Sequence, residues 1–566
     1  MEWGPKLLGD GRARFRLWAP DREAITLELD GGLSAAMARE ADGWFAAEAE
    51  ARPGARYRFR LDADLAVPDP AARAQAGGPH GWSVLTDPAA YQWRSEGWQG
   101  RAWEEAVVME VHPGVLGGFA GVSERLADWA ELGVTAIELM PIAAVSGTRN
   151  WGYDGVLPYA VGEDYGSPDE LKALVDRAHE LGLMVLLDVV YNHFGPDGNY
   201  LGAYAAPFFD EHAHTPWGGA VAVSREPVRR YFIDNALMWL SEYRFDGLRF
   251  DAVHAIADNA FLDAMAREIR ESLPGRQLHL VLENEHNDAD RLEPGLYSAQ
   301  WNDDFHNTLH VLLTGESEGY YESFSADPTA KLARCLAEGF VFQGEICGER
   351  GRGKPSGHLR PTAFVAFLQN HDQVGNRALG ERLVLLAEPA KLRAATALLL
   401  LMPQIPLLFM GEEAGSTSPF LFFTDFHDEL ADAVRNGRRK EFAKFSAFAD
   451  PKVRETIPDP NAPETFTRSR PEPGPDAAEW RRLYGELLAL RHEHVVPRLA
   501  GAQALGAEVL GPGAVAASWR LNDGATLALA INLGEAPVRF PEPGGDPLFR
   551  LAESGQPASF AAWIAP

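Results

Sequence analysis

Apolar and polar residues alternate in the first part of the chain. Arg14–Asp30 (RFRLWAPDREAITLELD) and Arg56–Asp62 (RYRFRLD) carry the two-residue period of half-buried strands. Pro20, Gly31–Gly32 and Pro53–Gly54 punctuate them, and Val67–Pro79 (VPDPAARAQAGGP) reads as an aperiodic loop. The pattern changes at Ala106. Eight short apolar runs follow: Val107–Val111, Val134–Met140, Leu183–Val190, Gly247–Val253, Leu278–Leu282, Ser298–Trp301, Ala363–Leu368 and Ile405–Met410. Between them lie amphipathic stretches, clearest in Val122–Leu132, Asp169–Leu181, Val228–Tyr243 and Asn259–Leu273. Eight such repeats predict a closed parallel barrel with its function at the C-terminal strand ends. Asp476–Val495 predicts a last helix, after which alternation returns in Ala514–Leu521, Ala525–Ile531 and Val538–Phe540. The expected architecture is multidomain α/β: a (β/α)8 TIM barrel with insertions over residues 96–495, between β-sandwich domains at 1–95 and 496–566.

Composition narrows the class. With 46% hydrophobic and 23% charged residues, the chain has enough apolar surface to fold. Lys and Arg number 52 against 81 Asp and Glu, a net charge of −29, which argues against nucleic acid and anionic membranes as partners. Met1–Pro20 has no apolar signal-peptide core. Pro403 and Pro406 interrupt the apolar run Ala394–Met410, which reads as a buried helix followed by a buried strand. Two cysteines, Cys335 and Cys347, cannot build a disulfide framework, so a reduced, cytoplasmic protein is expected. Zinc-type histidine pairs, CxxC and phosphate loops are missing from the sequence, and neither metal nor cofactor is expected.

The candidate chemistry lies where apolar runs end. Asp188 is followed by Tyr191, Asn192 and His193; Arg249 and Asp251 by His254; Leu282 by Glu283, Asn284 and Glu285; Leu368 by Gln369, Asn370, His371, Asp372 and Gln373. Any one of these could cap a helix or satisfy a backbone amide. Four strand ends finishing this way point to one shared site. Arg249 and Asp251 stand at i and i+2, on one face of their strand, so the guanidinium favours an ionised Asp251. A carboxylate of that kind opposite a protonated one, here Glu283, suits glycoside hydrolysis.

DVVYNH (Asp188–His193), GLRFDAVH (Gly247–His254), the ENE beginning at Glu283, and QNHDQ (Gln369–Gln373) resemble the four signature regions of the α-amylase superfamily. WAP (Trp18–Pro20) with PDPAARAQ (Pro68–Gln75) is similar to the N-terminal sandwich of its branching and debranching members. WGYDGV (Trp151–Val156), NDDFHN (Asn302–Asn307), TGESEGYY (Thr314–Tyr321), and GEEAGSTSPFLFFTDF (Gly411–Phe426) with GRRKEF (Gly437–Phe442) look like a trehalose-releasing branch. The resemblance implies Asp251 as nucleophile, Glu283 as general acid/base and Asp372 as transition-state stabiliser. It implies that His193 and His371 bind sugar hydroxyls, that Tyr153 stacks on the sugar and that Arg249 positions Asp251. His254 is a further binding candidate, and Asp303, Asp304, Phe305 and His306 with Gln373 and Asn376 are expected near the +1 and +2 sugars. The implied substrate is a malto-oligosyltrehalose, cut beside its terminal trehalose with retention and without a cofactor. A branching or debranching enzyme with the same triad, or a non-catalytic glucan-binding scaffold, are the alternatives. The first-strand segment Met109–Phe119 (MEVHPGVLGGF) departs from the longer, hydroxyl-bearing HVGTFTPEGT of relatives, which alters the expected first βα loop.

Overall fold

A computed structural model describes the chain except for residues 1, 216, 257, 293, 294, 348 and 349. Two antiparallel sheets form the N-terminal part. One runs Lys6–Leu7, Arg12–Trp18, Trp44–Glu50, Ala38–Arg39; the other is built on Thr26–Leu29 and Arg56–Arg60. Their alternating apolar faces meet, with the Phe15 and Tyr57 rings 4.6 Å apart. Trp18 packs inside, its indole N–H donating to Asp42 O.

The eight apolar runs form one closed parallel barrel: β1 (Val108–Val111), β2 (Ala136–Leu139), β3 (Met184–Val189), β4 (Gly247–Phe250), β5 (His279–Leu282), β6 (Ala299–Trp301), β7 (Phe364–Ala366) and β8 (Ile405–Phe409). β8 pairs with β1 and closes the ring. Helices start where local chemistry starts them. Ser167 and Glu170 form a reciprocal cap on Pro168–Glu180, and Asp258 caps Asn259–Ser272.

The loop Val67–Pro79 differs from its expected character. It is largely buried between the N-terminal sheets and the barrel, and its polar groups find partners there. Arg73 pairs with Glu242, and the Tyr231 hydroxyl donates to Pro70 O. Ala74–Ala76 even joins a sheet edge. The stretch Asp450–Asp476 also holds two short helices, Pro451–Arg454 and Pro463–Arg468, each opened by a proline.

The C-terminal part is one five-stranded antiparallel sheet, ordered Gln503–Gly511, Ala514–Arg520, Thr526–Asn532, Ser559–Ala565, Phe549–Leu551. Helices Pro389–Leu401 and Pro328–Glu338 pack against it, where a second sheet was expected. Val538 and Phe540 belong to an apolar cluster with Ala516, Ala530 and Trp563 but form no strand. Among the described residues no helix is long and apolar enough to cross a membrane.

Candidate active site

The strand ends of the barrel surround a cleft of about 1700 Å³. Its floor is organised by Arg249 on β4, whose side chain is fully buried. NH1 binds Asp188 of β3 at 2.8 Å and Asp251 Oδ1 at 2.8 Å; NH2 lies 3.9 Å from Glu283 Oε2. The guanidinium stacks 4.1 Å over the Trp301 ring. One cation therefore touches both carboxyl groups expected to do the chemistry.

Asp251 is fixed from its other side as well. Asn192 Nδ2 donates to its Oδ2 at 2.9 Å and to its carbonyl at 3.0 Å. The next residue, Ala252, takes a left-handed conformation at φ 41°, which a non-glycine residue adopts only under constraint. That turn aims the Ala252 N–H at Glu283 Oε2, 2.6 Å away. Burial raises the Glu283 carboxyl well above its ordinary value; Arg249 opposes this, while Asp251, Asp303 and Asp372 reinforce it. Asp188, buried beneath the floor, is pushed up to about 7 by burial against the pull of Arg249. The Tyr153 hydroxyl donates to it at 2.6 Å.

Asn370 begins the helix His371–Gly375 after β7, and its side chain accepts from the amides of Asp372 and Gln373. Asp372 receives Asn376 Nδ2 at 3.1 Å and faces His371 Nε2 at 3.4 Å. Burial would raise the Asp372 carboxyl, yet the His371 charge holds it below its ordinary value. His193 contacts Tyr153 O through Nε2 at 3.0 Å and is covered by Trp217, while burial depresses its pKa. His254 lines the cleft near Glu285, also lowered by burial. Tyr153 stacks on His371 with ring centres 5.1 Å apart.

The segment NDDFHN divides. Asp303 lines the cleft and receives Gln373 Nε2 at 3.2 Å. Burial, together with Asp372 and Asp304, pushes Asp303 up to about 7, with Arg352 opposing. Asp304, Phe305 and His306 do not reach the cleft, contrary to expectation. They follow Asn302 on one helix, Asp303–Thr314, so successive side chains step around its axis. Asp304 is fully buried, binding Arg352 and Asn287 at 2.8 Å and the amides of Val341 and Phe342. Phe305 lies in the core, and His306 Nδ1 bonds Leu368 O. The next cleft-facing residue on the helix is Asn307, one turn after Asp303.

Several cleft residues were not singled out in the sequence. Trp217, Phe445 and Arg352 come from segments between barrel elements that lie outside every motif quoted above, and Tyr320 lies within TGESEGYY without being distinguished there. Glu110 lies below the cleft on β1 and binds His371. It stands in an apolar run and 261 residues from its partner, which hides the pairing in sequence. Among the described residues no cluster of His, Cys, Asp and Glu fits a metal ion.

An eight-stranded parallel barrel carrying carboxylates, an arginine and histidines in this arrangement defines an α-amylase-type glycoside hydrolase. The alpha amylase catalytic-domain family matches residues 84–207, and a domain of unknown function, DUF3459, matches 502–563. Malto-oligosyltrehalose trehalohydrolase from Deinococcus radiodurans is 42% identical, covering 87% of this chain and 82% of its own. The Saccharolobus solfataricus enzyme of that name is 40% identical over 78% of this chain and 80% of its own. A 1.4 Å crystal structure from Salmonella typhimurium, described provisionally as an alpha amylase, superposes with TM-score 0.94, 45% identity and full coverage of both chains. This chain belongs to the malto-oligosyltrehalose trehalohydrolase family.

Proposed function

We propose that the chain hydrolyses the α-1,4 bond joining a malto-oligosaccharide to a terminal trehalose, releasing trehalose with the anomeric configuration retained. The observation that carries this reading is Arg249, which holds Asp251 at 2.8 Å and faces Glu283 at 3.9 Å. The same guanidinium ties the two carboxyl groups into one site, and burial of Glu283 against its pull makes them differ. Asp251, bound by Arg249 and Asn192, is the anionic nucleophile that attacks the anomeric carbon. Glu283, kept protonated by burial, gives its proton to the leaving trehalose oxygen. The Glu283 carboxylate so formed lies beside Arg249 NH2, then takes a proton from the water that attacks the glycosyl-enzyme. Asp372, ionised beside His371, stabilises the oxocarbenium-like transition state.

His193, His254 and His371 offer donors to the hydroxyls of the sugar at the reacting centre, and Tyr153 offers a ring face. Asp303, Gln373 and Asn376 line the cleft, and on this reading they lie on the trehalose side. Trehalose links two glucoses through both anomeric carbons, so its second ring lands where no ring of an α-1,4 chain does. Polar groups placed for that ring go unpaired when a linear glucan binds. The free, buried thiol of Cys335 fits a reducing, cytoplasmic setting for the reaction.

The test is the purified protein on maltotriosyl trehalose and on maltopentaose, with products resolved by chromatography. Trehalose and maltotriose are expected, with kcat/KM at least ~10²-fold above that for maltopentaose. Equal rates on the two substrates, or conserved reducing ends with new branches, overturn the reading.

A further inference from the structure

Glu110 stands on β1, beneath the cleft, with 1% of its surface exposed. Its Oε2 accepts the backbone N–H of His371 at 2.9 Å and its Oε1 meets the ring Nδ1. On the opposite edge of that ring, Nε2 lies 3.4 Å from Asp372 Oδ1. A carboxylate accepts and does not donate. A carboxyl oxygen beside each ring nitrogen favours a proton on both. We propose that Glu110 is a positioning residue for the hydrolysis, holding His371 as a doubly protonated imidazolium that clamps Asp372.

The surroundings support a cation at this position. Tyr153 stacks on the ring, while Trp151 meets it edge-on at 5.6 Å. The charged groups facing His371 are Glu110 and Glu138 from β1 and β2, Asp188 from β3, Arg249 from β4, and Asp372 on its own helix, with His112 just after β1. Burial raises the Glu138 carboxyl well above its ordinary value, towards its neutral form, and burial brings His112 down to about 4, so His112 is neutral near pH 7. Arg249 is already engaged by Asp188 and Asp251. Asp372 and Glu110 raise the His371 pKa against the opposing effect of burial. The imidazolium in turn holds the Asp372 carboxyl below its ordinary value, against the opposing effect of burial. Glu110 thereby governs a charge it does not touch.

The activity readout rests on the hydrolytic reading above; the spectroscopic one does not. In the full-length protein labelled with ¹⁵N-histidine, with the resonance assigned by its loss in His371→Gln, both ring nitrogens are expected to show imidazolium shifts at pH 7.5. A neutral His371 ring there overturns the proposal, whatever the substrate turns out to be. Glu110→Gln keeps the shape and removes the charge. Its kcat on maltotriosyl trehalose is expected to fall about tenfold or more, with KM within about threefold of wild type. The ¹⁵N titration of the His371 ring in Glu110→Gln is expected to move down by about one pH unit or more, because the ring has lost one of its two carboxylates. A purely structural role would lower activity without moving that titration, and an unmoved titration overturns the proposal. Should Glu110→Gln fail to fold, the wild-type resonance still decides. A protein inactive on maltotriosyl trehalose with an imidazolium at His371 would sink the substrate reading and leave Glu110 in place.

Discussion

The floor and the rim of the cleft are built differently. On the floor, Asp188, Arg249, Asp251, Glu283, His371 and Asp372 come from barrel strand ends, and each sits against another charged group of the set. On the rim, Trp217 is 49% exposed and Tyr320 58%, both from connecting segments with few polar ties. Strand ends are rigid, so the floor can fix protonation states by fractions of an ångström. Loops are not constrained in this way, and the rim can vary without disturbing the chemistry. Reactivity and selectivity are therefore separable, and substitutions in the two regions should fail in different ways.

The largest effects belong to the floor. Asp251→Asn and Glu283→Gln are each expected to lower kcat at least ~10²–10⁴-fold, since one amide cannot attack and the other cannot donate a carboxyl proton. Melting temperatures measured beside the rates should show folded proteins. A variant keeping a tenth of wild-type activity would remove its residue from the assigned role.

The same buried groups tie stability to pH. Glu283 holds its proton more tightly in the folded protein than its ordinary 4.5, and Asp188 rises from 3.8 to about 7. As pH climbs above those ordinary values, the unfolded chain sheds these protons first. Both groups therefore withdraw stability as pH rises through the window between ordinary and folded pKa, for Asp188 from about 4 to 7. Glu283→Gln, which has no proton to lose, should melt higher than wild type at pH 8, with the gap closing towards pH 4. A gap independent of pH would contradict a protonated Glu283. In activity the sign is the same: kcat/KM falls on the alkaline side as the general acid is lost.

Asp303 and Asp304 bring the comparison down to neighbouring residues. Asp304 is fully buried and anchors Arg352, Asn287 and two amides, so Asp304→Ala breaks the ion pair to the partly exposed Arg352 and leaves the buried Asn287 and amide donors unpaired. A loss of about 3–5 kcal/mol in stability is expected, read from denaturant unfolding. Asp303→Asn should leave stability near wild type. It should lower kcat/KM for maltotriosyl trehalose about tenfold and maltopentaose cleavage less, narrowing the selectivity. If the two variants exchanged phenotypes, the assignment of faces on this helix would be wrong.

That pair also shows what the sequence could and could not say. The eight apolar runs were legible because strand ends in this barrel abut chemistry, and Arg249 and Asp251 share a face by the two-residue period. NDDFHN was legible as a unit, but which side of its helix meets the cleft depends on packing against Leu368 O and the 341–342 amides, far along the chain. Val67–Pro79 has loop composition yet is buried, because Glu242 and Tyr231 of the barrel supply its polar partners. Ser559–Ala565 (SFAAWIA) escaped as a strand since it is apolar on both faces, one against helix and the other against Phe540. Conversely, Val538–Phe540 has the period of a strand and no neighbour to pair with it along its length. Of the rim aromatics, Tyr320 was legible only as part of TGESEGYY, and Trp217 had no local signal.

The smallest effect tests whether the rim acts by ring contact alone. Tyr320 exposes its ring to the cleft, with Lys444 Nζ 5.4 Å from the ring centre and its hydroxyl 3.5 Å from Glu441. That hydroxyl contact is at the limit of a hydrogen bond and adds little. A sugar stacked on the ring would gain about 1 kcal/mol, the order of an aromatic contact. Tyr320→Ala should therefore raise KM for maltotriosyl trehalose about fivefold and leave kcat and melting temperature unchanged, because no reacting atom and little core packing is involved. Tyr320→Phe keeps the ring and should be close to wild type. If Tyr320→Phe were as weak as Tyr320→Ala, the hydroxyl and its link to Glu441 would carry the contact. If kcat fell with KM unchanged, the rim would reach the transition state, and the separation from the floor would not hold at this residue.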